Sequence, residues 1–131
     1  MHSKIYLGLA FAWTIIITFL CLVNTNKIPG IGIPDADKVV HGVLYFFFTI
    51  FWYLYFRGQL SELEIARVLL FVFLVAGLYG VMIELVQEFF TSTRHADVND
   101  VFANLGGALS ACFVLFILSK YRERRTLPNK L

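Results

Sequence analysis

The chain has 131 residues, of which 59% are hydrophobic, 17% aromatic and only 15% charged, with a formal net charge of +2. Soluble domains carry about 25% charged residues, and one this small leaves too much surface in water to hide so much apolar area. With a mean hydropathy of +0.74, these figures exclude a soluble globular enzyme, a disordered chain and, at so low a charge, a nucleic-acid module.

What remains is an integral membrane protein, read as one domain over 1–131. A helix needs about 17–25 apolar residues to cross roughly 30 Å of hydrocarbon. Four segments qualify: Ile5 to Val23, Val39 to Phe56, Val68 to about Phe90, and Val101 to Ser119. An open sheet would leave backbone groups unpaired in lipid, so the expected fold class is an all-α membrane protein with four transmembrane helices. Lys4 before the first run is a feature of secretory leaders. A run of this length without a small-residue cleavage site before Asn24 favours a retained anchor instead. The connection Asn24 to Ala36 alternates Pro29, Gly30, Gly32 and Pro34 with Ile28, Ile31 and Ile33; it is either a lid over a site or a tight link. Cys21 and Cys112 fall in apolar runs and behave there as small hydrophobes. A disulfide between them requires the two runs to pack at matching depth.

Orientation follows the placement of Lys and Arg. The N-terminus, the second loop and the tail hold Lys4, Arg57, Arg67, Lys120, Arg122, Arg124, Arg125 and Lys130, whereas the other side has Lys27, Lys38 and Arg94. Both termini are therefore expected in the cytoplasm. The basic tail reads as a stop-transfer flank that favours anionic headgroups.

The polar residues then gather on the outer side. Asp37 and His41, four apart at the start of span two, share a helix face, and Tyr45 lies four further along it. Capping explains Asp35 or Asp37 equally well. Glu84, Gln87 and Glu88 project from span three within roughly a 100° arc. Glu84, flanked by Ile83, Leu85 and Val86, is costly at that depth unless protonated, paired or facing a wet cavity. Glu88 is nearer the interface. If Asp97 begins span four, then Asp97, Asp100 and Asn104 share a face, and Asp97 is a plausible N-cap. An amide such as Asn104 inside a span seeks a partner on another helix. Arg94 offers a planar guanidinium suited to carboxylate or phosphate. Ala103, Gly107 and Ala111, with Gly77 and Gly80 in span three, predict close packing of spans three and four.

These blocks resemble the signatures of VanZ-like membrane proteins. Asp37-Lys38-Val39-Val40-His41-Gly42-Val43-Leu44-Tyr45 is similar to their D-K-x-x-H-x-x-x-Y opening, with Gly42 where the family often has Phe. Ile83-Glu84-Leu85-Val86-Gln87 contains their E-x-x-Q, and Arg94, Asp97, Asp100, Asn104 and Gly107 match R-x-x-D-x-x-D-x-x-x-N-x-x-G. The resemblance runs from about residue 35 to 110. It implies a small bacterial protein of the cytoplasmic membrane with about four helices, and a link to resistance to teicoplanin, a glycopeptide acting on cell-wall precursors.

Two functional readings stand beside a structural one. In the first, an outer-leaflet site acts on a lipid or lipid-linked headgroup. Arg94 binds its phosphate or carboxylate, and His41, held by Asp37, is the acid/base. Glu84 is a second proton-transfer group, while Gln87, Asp97, Asp100, Asn104 and Tyr45 orient the substrate or hold a divalent cation. Hard oxygen ligands suit Mg²⁺ or Ca²⁺, and neither the metal nor any cofactor is specified by a motif. In the second, the same pocket binds a lipid or amphiphile without catalysis. In the third, the polar network only joins helices. Membrane lipids are the expected partners, with no nucleic acid.

Overall fold

The computed structural model describes residues 2–22, 36–60, 63–91 and 96–126. Four helices fill these segments: α1 (His2–Leu22), α2 (Ala36–Gln59), α3 (Ile65–Phe90) and α4 (Val98–Thr126). Each is long and apolar enough to cross a membrane. The shortest, α1 with 21 residues, is about 31 Å long at 1.5 Å per residue. The chain is a multi-pass, all-α membrane protein.

Every helix extends about a turn or more beyond its apolar run at one or both ends. Asp37 and Lys38 lie in the first turn of α2 and Arg57 in its last, while α4 continues through the basic tail. Such residues keep helical backbone and leave their charged heads at the interface. The start of α4 is set by Asp97, whose Oδ1 accepts a hydrogen bond from the Asn99 amide at 2.8 Å. Its carbonyl accepts from the amides of Asp100 and Val101. That is the geometry of an N-cap, as the sequence suggests. Between α2 and α3 the Arg57 guanidinium donates to the carbonyls of Leu60 and Leu63. The connection 24–36 lies, but for Ala36, outside the described residues.

α2 is the hub of the bundle. It packs against all three other helices and most extensively against α4, whereas α1 and α4 do not meet among the described residues. Spans three and four pack together, as the small residues predict, but the small face of α4 also makes a still tighter approach to α2: a Cβ on Gly107 would meet the Gly42 backbone, with the carbonyl carbon at 2.8 Å and the Cα at 3.0 Å. Ala111, one turn further along α4, is also fully buried. α3 packs beside this pair, with Leu105 over Gly77 and Asn104 over Gly80.

Two apolar clusters stack along the bundle. One joins Ile17, Tyr45, Phe48, Ile83 and Ala108, and the other Tyr53, Val68, Val72 and Leu115. Between α2 and α3 the rings of Phe48 and Tyr79 stack at 5.0 Å, nearly parallel. α1 is fastened by polar groups: Trp13 Nε1 donates to the Leu44 carbonyl, Tyr79 Oη to the Thr14 carbonyl, and Tyr79 shares a second hydrogen bond with Thr18. The outer faces carry large apolar side chains such as Ile15, Leu78 and Phe113, as lipid contact requires. Both cysteines are free thiols. Cys21 sits beside Gln87 of α3 and Cys112 beside Leu69, 18 residues or about 27 Å away along that helix, so their depths do not match.

A buried polar cluster at one end of the bundle

The start of α2, the end of α3 and the start of α4 meet at one end of the bundle. His41 lies five residues inside α2, Glu84 six residues before the end of α3, and Asp100 and Asn104 in the first two turns of α4. Each is therefore about half a turn to two turns deep, roughly 3–9 Å along its helix. All four are buried, with exposures of 3% for His41, 3% for Glu84, 9% for Asp100 and 1% for Asn104.

His41 joins the helices. Its Nδ1 is 3.1 Å from Asn104 Oδ1, and its Nε2 is 3.6 Å from Asp100 Oδ2. The second separation is too long for a hydrogen bond. An amide oxygen only accepts, so Nδ1 is the donor in the first contact, and Nε2 is the nitrogen turned to the Asp100 carboxylate. His41, Glu84 and Asp100 each contribute one atom to a group lying mutually within 4.8 Å.

Glu84 is divided between two tasks. Its Oε2 accepts the Asp97 backbone amide at 3.0 Å, fixing the entry to α4, while its Oε1 is buried without a hydrogen-bond partner among the described residues. Three further buried atoms share that condition: Asp100 Oδ1, Asn104 Nδ2 and the Tyr45 hydroxyl. Native interiors pair the great majority of buried polar atoms, so four orphans within one neighbourhood are far from ordinary. Tyr45, fully buried, forms the floor. Gly80 is the wall beside it, because a Cβ there would lie 3.2 Å from Asn104 Nδ2 and 3.4 Å from the Tyr45 ring.

The remaining expected residues are dispersed. Asp37 is exposed in the first turn of α2 and makes no hydrogen bond to His41; the groups adjoining the imidazole are Asp100 and Asn104. The i, i+4 spacing places Asp37 on the right face, but the groups that face the ring nitrogens come from α4, Asn104 at Nδ1 and Asp100 at Nε2. Asp97 serves as the N-cap. Arg94 lies outside the described residues. Gln87 is buried, yet its Nε2 donates to the Cys21 carbonyl at 2.7 Å, capping the C-terminal end of α1. Glu88, exposed, accepts the Ala96 amide at 2.9 Å. Neither the Cys21 carbonyl nor the Gly80 wall was singled out from the sequence, although Gly80 stands one helical turn before Glu84.

The Gln87 bond yields a direct expectation. Gln87→Leu removes a buried hydrogen bond between α3 and the last turn of α1, at a cost of about 0.5–1.5 kcal/mol. Unfolding of the variant in detergent, followed by helical circular dichroism, measures that loss. The Trp13 fluorescence should shift in step as α1 loosens.

The model of the family described as VanZ/LLP1 matches residues 4–119 of the chain. No curated protein and no solved structure matches it.

Proposed function

The chain belongs to the VanZ/LLP1 family, and on that premise we propose that its buried polar cluster acts on the headgroup of a lipid or lipid-linked cell-wall precursor. The site works at the outer leaflet of a bacterial cytoplasmic membrane, with both chain termini in the cytoplasm. The observation that carries the proposal is the set of four buried orphan atoms on Tyr45, Glu84, Asp100 and Asn104 around one imidazole. A network serving only to join helices lowers its energy by pairing such atoms, each of which costs about 1–3 kcal/mol when left alone.

In this reading His41 is the acid/base and Nε2 is its working nitrogen. Glu84 and Asp100 stand on the side of that lone pair, and Glu84 is the second proton-transfer group. Asn104 holds the ring through Nδ1, and the Tyr45 hydroxyl is a donor awaiting an acceptor on the substrate. Arg94, matching the family motif, takes the phosphate or carboxylate. Asp37 belongs at the helix start, where its charge complements the dipole. A protein that alters or holds a wall precursor at the face where glycopeptides act would change teicoplanin susceptibility.

The experiment is incubation of the purified protein with a bacterial lipid extract, followed by mass spectrometry. Catalysis predicts a converted lipid that disappears with His41→Ala and with Glu84→Gln. The extreme burial of the cluster favours a second version, retention without turnover, which predicts an unaltered lipid that copurifies with the parent and is lost from both variants. If the lipids are neither changed nor retained, the proposal fails.

A further inference from the structure

Three potential ligands converge at the centre of the cluster. His41 Nε2 stands 3.6 Å from Asp100 Oδ2, and His41, Glu84 and Asp100 each place one ligand atom within 4.8 Å of the others. Among the described residues Asp100 Oδ1 has no hydrogen-bond partner, although the residue is only 9% exposed. Two carboxylates and a lone pair shut away together repel one another unless positive charge lies between them. Lys38 bears electrostatically on Asp100, but it stands on the first turn of α2 and is partly exposed.

We infer that His41 Nε2, Glu84 and Asp100 bind one divalent transition-metal ion. This rests on the reading that the cluster acts on a headgroup and gives that site its cofactor; it also replaces one assignment in that reading, because an Nε2 that ligates a metal is no longer the acid/base. Ligand atoms about 2.1 Å from a single ion lie roughly 3.0–4.2 Å apart, so the 3.6 Å pair already fits and the third ligand moves inward by a few tenths of an ångström. The outer support is present as well. A metal-bound histidine donates its other ring proton to a fixed acceptor, which here is Asn104 Oδ1. Glu84 is likewise held through Oε2 by the Asp97 amide. One nitrogen and two oxygens favour Zn²⁺ or Mn²⁺, since imidazole moves the preference away from the Mg²⁺ or Ca²⁺ that oxygen ligands alone suggest. Three protein ligands leave a coordination position open for a water or a headgroup oxygen, the arrangement of catalytic rather than structural sites.

The test titrates Zn²⁺ and Mn²⁺, each alone, into the full chain in detergent, with bound metal counted by mass spectrometry after desalting. One equivalent per chain is expected with at least one of the ions. His41→Ala and Asp100→Asn should abolish it, and Asn104→Ala should weaken it about 10–100-fold. No stoichiometric binding of either ion, or binding unaffected by the first two variants, overturns the inference. Should those variants fail to fold, the visible spectrum of the unaltered protein with Co²⁺ decides. Nitrogen and oxygen ligation supports the site, whereas a thiolate charge-transfer band assigns the metal to the cysteines and overturns it. Lipid retention or conversion in metal-free protein refutes the metal and leaves the proposed function standing. Metal binding without any lipid effect does the opposite.

Discussion

Gly107→Ala destabilises the bundle by about 1–3 kcal/mol, the usual cost of overpacking a tight contact, and Gly42→Ala does not. The two glycines face each other across α2 and α4, yet their surroundings are unequal. A Cβ on Gly107 runs into the Gly42 peptide, and backbone cannot turn aside as a side chain can. A Cβ on Gly42 finds the Ala103 carbonyl at 3.6 Å, an ordinary contact. Alanine also favours a helix over glycine by about 0.8–1.0 kcal/mol, which offsets part of the first substitution and makes the second neutral or stabilising. Thermal unfolding of both variants in one detergent measures the difference. Equal stabilities would mean that the helices are further apart than the contact implies. The effect extends to function, because Gly42 adjoins His41 and Gly107 is one turn from Asn104. Separating α2 from α4 lengthens the imidazole–amide bond, so Gly107→Ala should impair lipid conversion or retention more than its stability loss alone explains.

Glu84→Gln and Asp100→Asn should melt at or above the parent while losing lipid activity altogether. Each removes one of two facing carboxylates, and neither deletes a hydrogen bond that the fold depends on. Glutamine keeps an amide oxygen for the Asp97 amide, and Asp100 has no such bond to lose among the described residues. Sites that gather like charges do so against stability, and relieving them commonly adds about 0.5–2 kcal/mol. Were the cluster an internal ion pair, breaking it would instead cost roughly 3–5 kcal/mol. Glu84→Ala is the contrasting case, because it strands the Asp97 amide and should be less stable than Glu84→Gln. Collapse of both isosteric variants would mark the carboxylates as glue and remove the main support for a functional site.

The four spans were legible in the sequence because lipid demands a single pattern, long apolar runs, whatever the function. Their ends were less so, since Asp37, Arg57 and the tail arginines are helical despite their charge. The depth of Glu84 and the need of Asn104 for a partner on another helix were also legible, each following from the cost of a polar group in hydrocarbon. The identity of the partners was not. Asp37 has the right local spacing to hold His41, but spacing along a helix says nothing of what a second helix brings. Asp100, 59 residues away, stands where Asp37 was expected. The small residues of α4 and α3 announced the approach of those two helices, which the structure shows, but not the tighter contact of Gly107 with Gly42 of α2. Gln87 shows the same limit, because a buried amide in a motif reads as a ligand-binding group until its bond to the Cys21 carbonyl is seen.

The helix that completes the polar cluster leaves the ribosome after α1, α2 and α3. His41 enters the membrane with α2 and Glu84 with α3, while Asp100 and Asn104 are still unmade. Until α4 arrives, the imidazole lacks both neighbours and the carboxylate lacks the Asp97 amide that anchors it. Polar side chains at that depth are costly in hydrocarbon, so the nascent chain passes through a stage at which its least lipid-compatible residues are sheltered by nothing in their own sequence. A product truncated after α3 would be held at that stage for good, with the exposed polar groups that membrane quality-control proteases can grip. Synthesis of α4 is thus also the step at which these polar residues become comfortable residents of the bilayer.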